Sequence, residues 1–305
     1  MGRISVDLYP EQIGVPLAEV RTFAKSLGGS PTNVAVGAAR YGHRSAVITK
    51  VGDDGFGVNA RRALREFGVD DRYVGTDPVL RTPLVFCEIY PPDRFPLLFY
   101  REPKAPDMNV RPDELDYDAI RNARIFWTTG TGLSDEPSRS ATMAALEARG
   151  RSGITVHDLD YRPTLWPAPG EAGPRLREAL QHATVAVGTR EEVTVALGEG
   201  EPEELAGRLL DTGVGLAFVK LGPDGVLVGW DGRMERVPAF PVDVVCGLGA
   251  GDAFGAALCH GLLEDWELVR TTRFANAAGA HVASQLACAD AMPDERQVLA
   301  LMGDD

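Results

Sequence analysis

The stretch VDVVCGLGAGDAFGAALCHGLL, residues 242–263, sets three glycines in front of an acid and runs on into a long apolar segment. A Walker-type phosphate loop requires GxxxxGK[ST], which the chain lacks. A dinucleotide fingerprint requires GxGxxG, and here Asp252 stands where the third glycine belongs. What remains is Gly249-Ala250-Gly251-Asp252, followed by a helix expected from about Ala253 to Leu263. Glycines ahead of a helix let the backbone turn sharply, and the free N–H groups of the first turn attract an anion. An aspartate there can cap the helix. If a phosphate occupies the turn, its carboxylate can instead accept a hydroxyl proton as the oxygen attacks phosphorus. The stretch by itself leaves both open.

The rest of the chain narrows the choice. Its 305 residues are 44% hydrophobic and 25% charged, enough for a large globular core. A net charge of −13 argues against a nucleic-acid partner, which calls for a basic surface. Four cysteines (Cys87, Cys246, Cys259, Cys288) form no CxxC pair and read as free thiols in a reducing compartment. No segment approaches ~20 consecutive apolar residues and no signal peptide is visible, so no membrane partner is expected and the location reads as cytoplasmic. The five histidines share no metal-ligand spacing and read as packing or surface residues; His157, beside Asp158, is the one to test.

Short β-branched runs alternate with amphipathic helical stretches. Strands are expected at 45–52, 123–130, 153–160, 183–189 and 215–222, with helices at 56–68 and 136–150 ended by Gly68 and Gly150. Such alternation predicts an α/β fold with a mostly parallel sheet covered by helices on both faces, in which ligands bind beyond the carboxyl ends of the strands. Two segments break the rhythm. Residues 81–106 alternate around a proline-rich turn and predict a hairpin outside the main sheet, and residues 6–17 have similar character. Together they predict a small β lid over about 6–20 and 81–106.

LGGSPTNVAVGAARYG, residues 27–42, is a second glycine turn, with a helix expected from Thr32 or Asn33. GG-x-x-x-N near the start and GAGD near the end, with KLGPDG (220–225) and FANAAGA (274–280) between and after them, resemble the paired signatures of the ribokinase-like (PfkB-type) carbohydrate kinases over essentially the whole chain. The resemblance implies a single ribokinase-like domain spanning 1–305, a three-layer αβα sandwich with a mostly parallel central sheet and a small β lid. KSLGGSPTNVAVGAARYG, FYREPKAPDMN, HDLDYRPTLW and VGTREEV further resemble members acting on keto-deoxy sugar acids. This implies ATP-dependent phosphorylation of a terminal hydroxyl, with 5-dehydro-2-deoxygluconate from myo-inositol breakdown as substrate. 2-Keto-3-deoxygluconate is the nearest alternative, then another sugar such as fructose; a catalytically inactive sugar-binding protein is the remaining reading.

Carried over by this resemblance, Asp252 is the base, and the backbone N–H groups of Gly249, Ala250 and Gly251 form the anion hole. Asp7, placed after the first short strand, and Gly28, Gly29 and Asn33 match the sugar-binding positions. A carboxylate substrate needs a cation, and two Tyr-Arg pairs at strand ends offer one: Tyr100-Arg101, and Arg162 with Asp158 and Asp160. Thr189, Arg190 and Glu192 fall at the family's Asn-x-x-Glu segment, which places Glu192 toward Mg²⁺, through water. Lys220, Gly222 and Gly225 are expected at the ATP groove and Asn276 at the adenine.

Three departures stand out. Met1 lies just before Gly2-Arg3, where relatives enter from a full strand, so either the natural start lies further upstream or the first strand is a stub. Thr189 replaces the family's Asn. The resemblance implies an activating monovalent cation such as K⁺, yet Cys246-Gly247-Leu248 replaces the Asp-Thr-Thr that helps bind it in many relatives. A homodimer paired through the lid is also left open.

Overall fold

The computed structural model describes residues 1–168 and 170–303. The chain divides into two compact units. The first comprises Arg3–Asp107, Phe240–Trp266 and the described chain from Phe274; the second comprises Met1–Gly2, Met108–Ala239 and Glu267–Arg273.

In the first unit, β1 (Ser5–Pro10) pairs antiparallel with β2 (Phe23–Gly28). The helix α1 (Ser30–Arg40) follows. β3 (Ser45–Ala46), β4 (Thr49–Gly52), α2 (Gly55–Glu66), β5 (Val69–Asp70) and β6 (Val74–Asp77) come next, with β3 parallel to β5 and β4 to β6. β7 (Leu84–Cys87) and β8 (Leu97–Tyr100) form the expected 81–106 hairpin and join β1 and β2 in a four-stranded sheet ordered β2-β1-β7-β8.

The second unit holds α3 (Tyr117–Asn122), β9 (Ile125–Thr129), α4 (Ser138–Arg149), β10 (Ile154–Asp158), α5 (Ala172–Leu180), β11 (Val185–Thr189), α6 (Arg190–Leu197), α7 (Pro202–Asp211), β12 (Leu216–Lys220), β13 (Val226–Trp230) and β14 (Arg233–Val237). Its six strands form one sheet ordered β14-β13-β12-β11-β10-β9. β9 to β12 run parallel, and the β13–β14 hairpin closes the sheet antiparallel. Their residues are largely apolar and fully buried, among them Val156, Val187 and Phe218, as a sheet covered on both faces requires.

The chain returns to the first unit for α8 (Ala250–Leu263), the part of α9 (Leu268–Ala283) from Phe274 on, and α10 (Glu295–Met302). α8 packs along α1, where a Cβ at Gly37 would overlap Ala256. Among the described residues no helix is long and apolar enough to cross a membrane.

Several expectations are corrected. The strand expected at 45–52 is two, β3 and β4, because its halves pair with different partners. The 6–17 segment finds its antiparallel mate in β2, inside what read as a lead-in to the glycine turn. Residues 1–4 form no strand, and Asp7 stands within β1 rather than after a strand. Lastly, α8 begins at Ala250, three residues earlier than expected. Gly249 caps it in the left-handed conformation at φ +83°, so Gly251 and Asp252 belong to its first turn.

Candidate active site

The N-cap of α8 is Gly249 and Asp252 stands three residues further on, so Asp252 is not the capping residue itself. Asn33, in the first turns of α1, donates from Nδ2 to the Oδ2 of Asp252 at 2.7 Å. Asn33 is buried, and its Oδ1 has no partner. The first-turn N–H groups of Ala250 and Gly251 have no carbonyl four residues back within the helix, and the helix dipole puts positive potential there. Gly249 is required on two counts. Its φ suits only glycine, and a Cβ would come within 2.7 Å of Cys288 Sγ.

Asp7 in β1 accepts from Ser5 Oγ at 2.6 Å. Burial pushes its carboxyl up to about 6; the Ser5 hydrogen bond and the Arg3 and Arg101 charges pull it down, while Asp252 pushes it further up. Asp7 thus lies within electrostatic reach of both Asp252 and Arg101. Gly28 pairs with Ser5 across the β1–β2 ladder, and any side chain there would overlap the Asp7 carboxyl group. Gly29, at φ +99°, caps α1, and a Cβ would strike the Arg3 carbonyl.

Arg101, just after β8, is buried and ion-paired with Asp107, whose other oxygen accepts the Ile4 N–H at 2.9 Å. Its Nη1 is buried without a hydrogen-bond partner. Tyr100 is not brought to the same place. Cross-strand partners share a sheet face, and Tyr100 pairs with Leu84 while Asp7 pairs with Val85, so the two residues point to opposite sides. The Tyr100 ring rests on Phe86 and is 60% exposed.

Asp158, Asp160 and Arg162, expected at the substrate, stand in the second unit at the carboxyl end of β10. Lys220 Nζ, at the end of β12, is 3.8 Å from Asp158 Oδ1. Asp160 is buried, accepts from Thr131 Oγ1 at 2.8 Å and binds Arg162 Nε at 3.1 Å. One edge of the Arg162 guanidinium is therefore held by Asp160, while its side chain is 43% exposed.

Thr189 caps α6, accepting the Glu192 N–H, while Glu192 Oε2 accepts the Thr189 N–H at 2.7 Å. Glu192 Oε1 also accepts the Tyr161 N–H at 3.2 Å. The Thr that replaces the family's Asn thus caps α6. Beside this helix start lies a groove of about 500 Å³, lined by Thr189, Arg190, Lys220, Gly222, Asp224 and Arg236 among others. Arg236, on β14, was not foreseen; a lone Arg in a surface hairpin carries no sequence signal. Gly225 has a structural duty, since a Cβ would overlap the Val237 carbonyl. Asn276 is buried on α9 in the first unit. His157 is fully buried with Thr128 Oγ1 3.0 Å from Nδ1, and burial holds it down to about 4, uncharged at neutral pH.

The residues fit some of the implied groups. The groove has the size for a nucleotide's phosphates, but Glu191, Glu201 and Glu203 line it too. Its cations are ion-paired, Arg190 with Glu201, Arg236 with Glu203 and Lys220 with Asp158, so phosphates would have to compete for them. Each Glu192 oxygen already accepts one N–H yet keeps a lone pair for a hydrated Mg²⁺. A K⁺ site of the Asp-Thr-Thr kind does not fit: Cys246 is buried in an apolar cluster with Tyr9, Cys87, Ile89 and Cys288, and 246–248 supply no carboxylate.

A family model for the pfkB family carbohydrate kinases matches residues 1–295. The chain belongs to that family. It is a sugar kinase of the kind that phosphorylates carbohydrates with ATP. It is 35% identical over 305 residues to the 5-dehydro-2-deoxygluconokinase of Geobacillus kaustophilus, covering 98% of this chain and 91% of that protein. Among solved structures it resembles the fructokinase of Vibrio cholerae O395 in its fructose-, ADP- and calcium-bound form, with 27% identity, coverage of 98% and 96%, and TM-score 0.88. A putative Ribokinase II from E. coli in complex with ATP and Mg²⁺, 22% identical with TM-score 0.91 over 100% of this chain and 98% of that one, shows the ribokinase-like α/β fold.

Proposed function

We propose that this sugar kinase phosphorylates the terminal hydroxyl of a keto-deoxy sugar acid, 5-dehydro-2-deoxygluconate, with Asp252 as base. The observation that carries the acid specificity is Arg101: a buried guanidinium with one unpartnered nitrogen, within electrostatic reach of Asp7. An unsatisfied buried donor is costly, and a substrate carboxylate satisfies it with a charge-assisted hydrogen bond. A neutral sugar such as fructose leaves it unanswered. The relative named above acts, by its name, on the same acid.

In this reading Asp7 grips sugar hydroxyls, with Gly28 and Gly29 keeping the floor bare beside it. Asn33 holds the Asp252 carboxylate in one orientation and offers its free Oδ1 to the sugar. Asp252 takes the hydroxyl proton while the N–H groups of the α8 first turn, Gly249 to Gly251, receive the charge of the transferred group; such donors are worth about 3–4 kcal/mol each. Thr189, Arg190, Lys220 and Gly222 line the nucleotide's phosphate groove, and Asn276 meets the adenine. Mg²⁺, held through water by Glu192, supplies neutralisation of phosphate charge. Asp158, Asp160 and Arg162 serve the substrate, and Asp158 also orients Lys220. The chain works as a single kinase domain in the cytoplasm.

The four-stranded sheet serves as lid, and its exposed Leu98 and Tyr100 suit pairing with a second copy.

ADP release is measured with 5-dehydro-2-deoxygluconate, 2-keto-3-deoxygluconate and fructose. The first is expected to have the highest kcat/KM. Asp252→Asn should lower kcat about 10²–10⁴-fold with ATP binding intact. Arg101→Met should raise KM for the acid far more than for fructose. Equal turnover of acid and neutral sugars would remove the acid reading, and sugar binding without ADP release would leave a binding protein.

A further inference from the structure

At the other end of α8 lies a cluster that the kinase reaction does not use. His260, eight residues on from Asp252 and so about 12 Å along the helix, is 3% exposed. Its ring is stacked on Tyr41 at 5.0 Å and meets Trp266 edge-on at 4.9 Å. Its Nδ1 is 2.7 Å from Nε2 of His43, just beyond the end of α1. Two ring nitrogens that close share one proton, so both lone pairs converge on one point. Glu264 lies one turn further along α8 and is exposed; the ligand atoms of His43, His260 and Glu264 all stand within 4.8 Å of one another.

We propose that His43, His260 and Glu264 form a binding site for a divalent transition-metal ion of the zinc class. Two imidazoles and one carboxylate are a donor set that such ions prefer and that Mg²⁺, an all-oxygen ion, does not. The ion takes the place of the shared proton. Tetrahedral geometry asks for nitrogens about 3.3 Å apart, so the half-buried His43 need shift by only about half an ångström. A water can complete the shell from the solvent beside Glu264.

Two further observations support a built site. His260 Nε2, the nitrogen facing away from His43, is buried without a hydrogen bond, and Glu295 Oε1 lies 3.8 Å from it. Metal-bound histidines commonly present their second N–H to a carboxylate, which fixes the tautomer and strengthens the ligand. Glu264 is also the C-cap of α8, where unsatisfied carbonyls favour a cation. The sequence conceals the site because its histidines are 217 positions apart. Only the packing of α8 along α1 joins them. Those helices also carry Asp252 and Asn33, so a bound ion ties together the far ends of the pair that positions the base.

The test is a calorimetric titration of the metal-stripped full chain with Zn²⁺ in excess Mg²⁺, at neutral pH. One Zn²⁺ per chain is expected, with at least a tenfold loss of affinity in His43→Ala and in Glu264→Gln. Both sites are at or near the surface, and retained kinase turnover with Mg-ATP shows that the variants fold. Separately, Cu²⁺ should quench Trp266 fluorescence, read as the difference between the chain and Trp266→Phe, and His43→Ala should abolish that difference. Undiminished Zn²⁺ affinity in both variants, or no binding at one equivalent, would overturn the proposal and leave a plain histidine–histidine hydrogen bond.

Discussion

Asp7 carries a conflict between stability and function that a single substitution can expose. Burial raises its folded pKa to about 6, above the unfolded value of 3.8. The fold therefore favours the protonated form. Below pH ~4 this group costs nothing, and the penalty for holding its anion grows as pH rises through about 6. Sugar hydroxyls need the anion as acceptor. Asp7→Asn keeps an oxygen for Ser5 and removes the charge, so it should stabilise the unliganded chain by about 1–3 kcal/mol at pH 7.5 and by almost nothing near pH 4. Thermal melts at the two pH values check this, and the same variant should fail to saturate with sugar. In the native chain, kcat/KM for the sugar should fall below about pH 6. A stabilisation independent of pH would show that ionisation is not its source.

In the proposed mechanism the start of α8 is the element on which catalysis turns. Gly249 alone permits the left-handed cap, and its Cα sits against Cys288. Gly249→Ala adds backbone strain of about 1 kcal/mol and a contact of 2.7 Å with a sulfur that is itself held 2.7 Å from the Tyr9 hydroxyl. The total destabilisation should reach about 1–3 kcal/mol, seen in denaturant midpoints. Because the anion-binding N–H groups move with the cap, kcat should fall more than KM for ATP rises. A variant that lost stability with full kcat would mean that these N–H groups do not receive the phosphoryl charge.

For the whole molecule, the open question is assembly. β8 ends the four-stranded sheet, and a terminal strand with Leu98 46% exposed and Tyr100 60% exposed is a surface that a second copy can cover. Sedimentation should report a dimer that Leu98→Glu converts to monomer. A chain that sediments as a monomer at all concentrations would remove the pairing role and leave the sheet as lid alone.

What the sequence determined is local chemistry and rhythm. The β-branched runs and glycine stops located most strands and helices of the second unit, because period and turn chemistry are encoded within a dozen residues. The two glycine motifs located Asp252, Asn33, Gly28 and Gly249 for the same reason. What only the tertiary structure decided is which side chains meet. Asn33 turns to Asp252, Arg101 is buried against Asp107, and Arg162 pairs with Asp160. Strand parity turns Tyr100 away from Asp7, and helix packing brings His43 to His260. Each depends on register or packing between segments far apart in the chain, and no short-range pattern records that geometry.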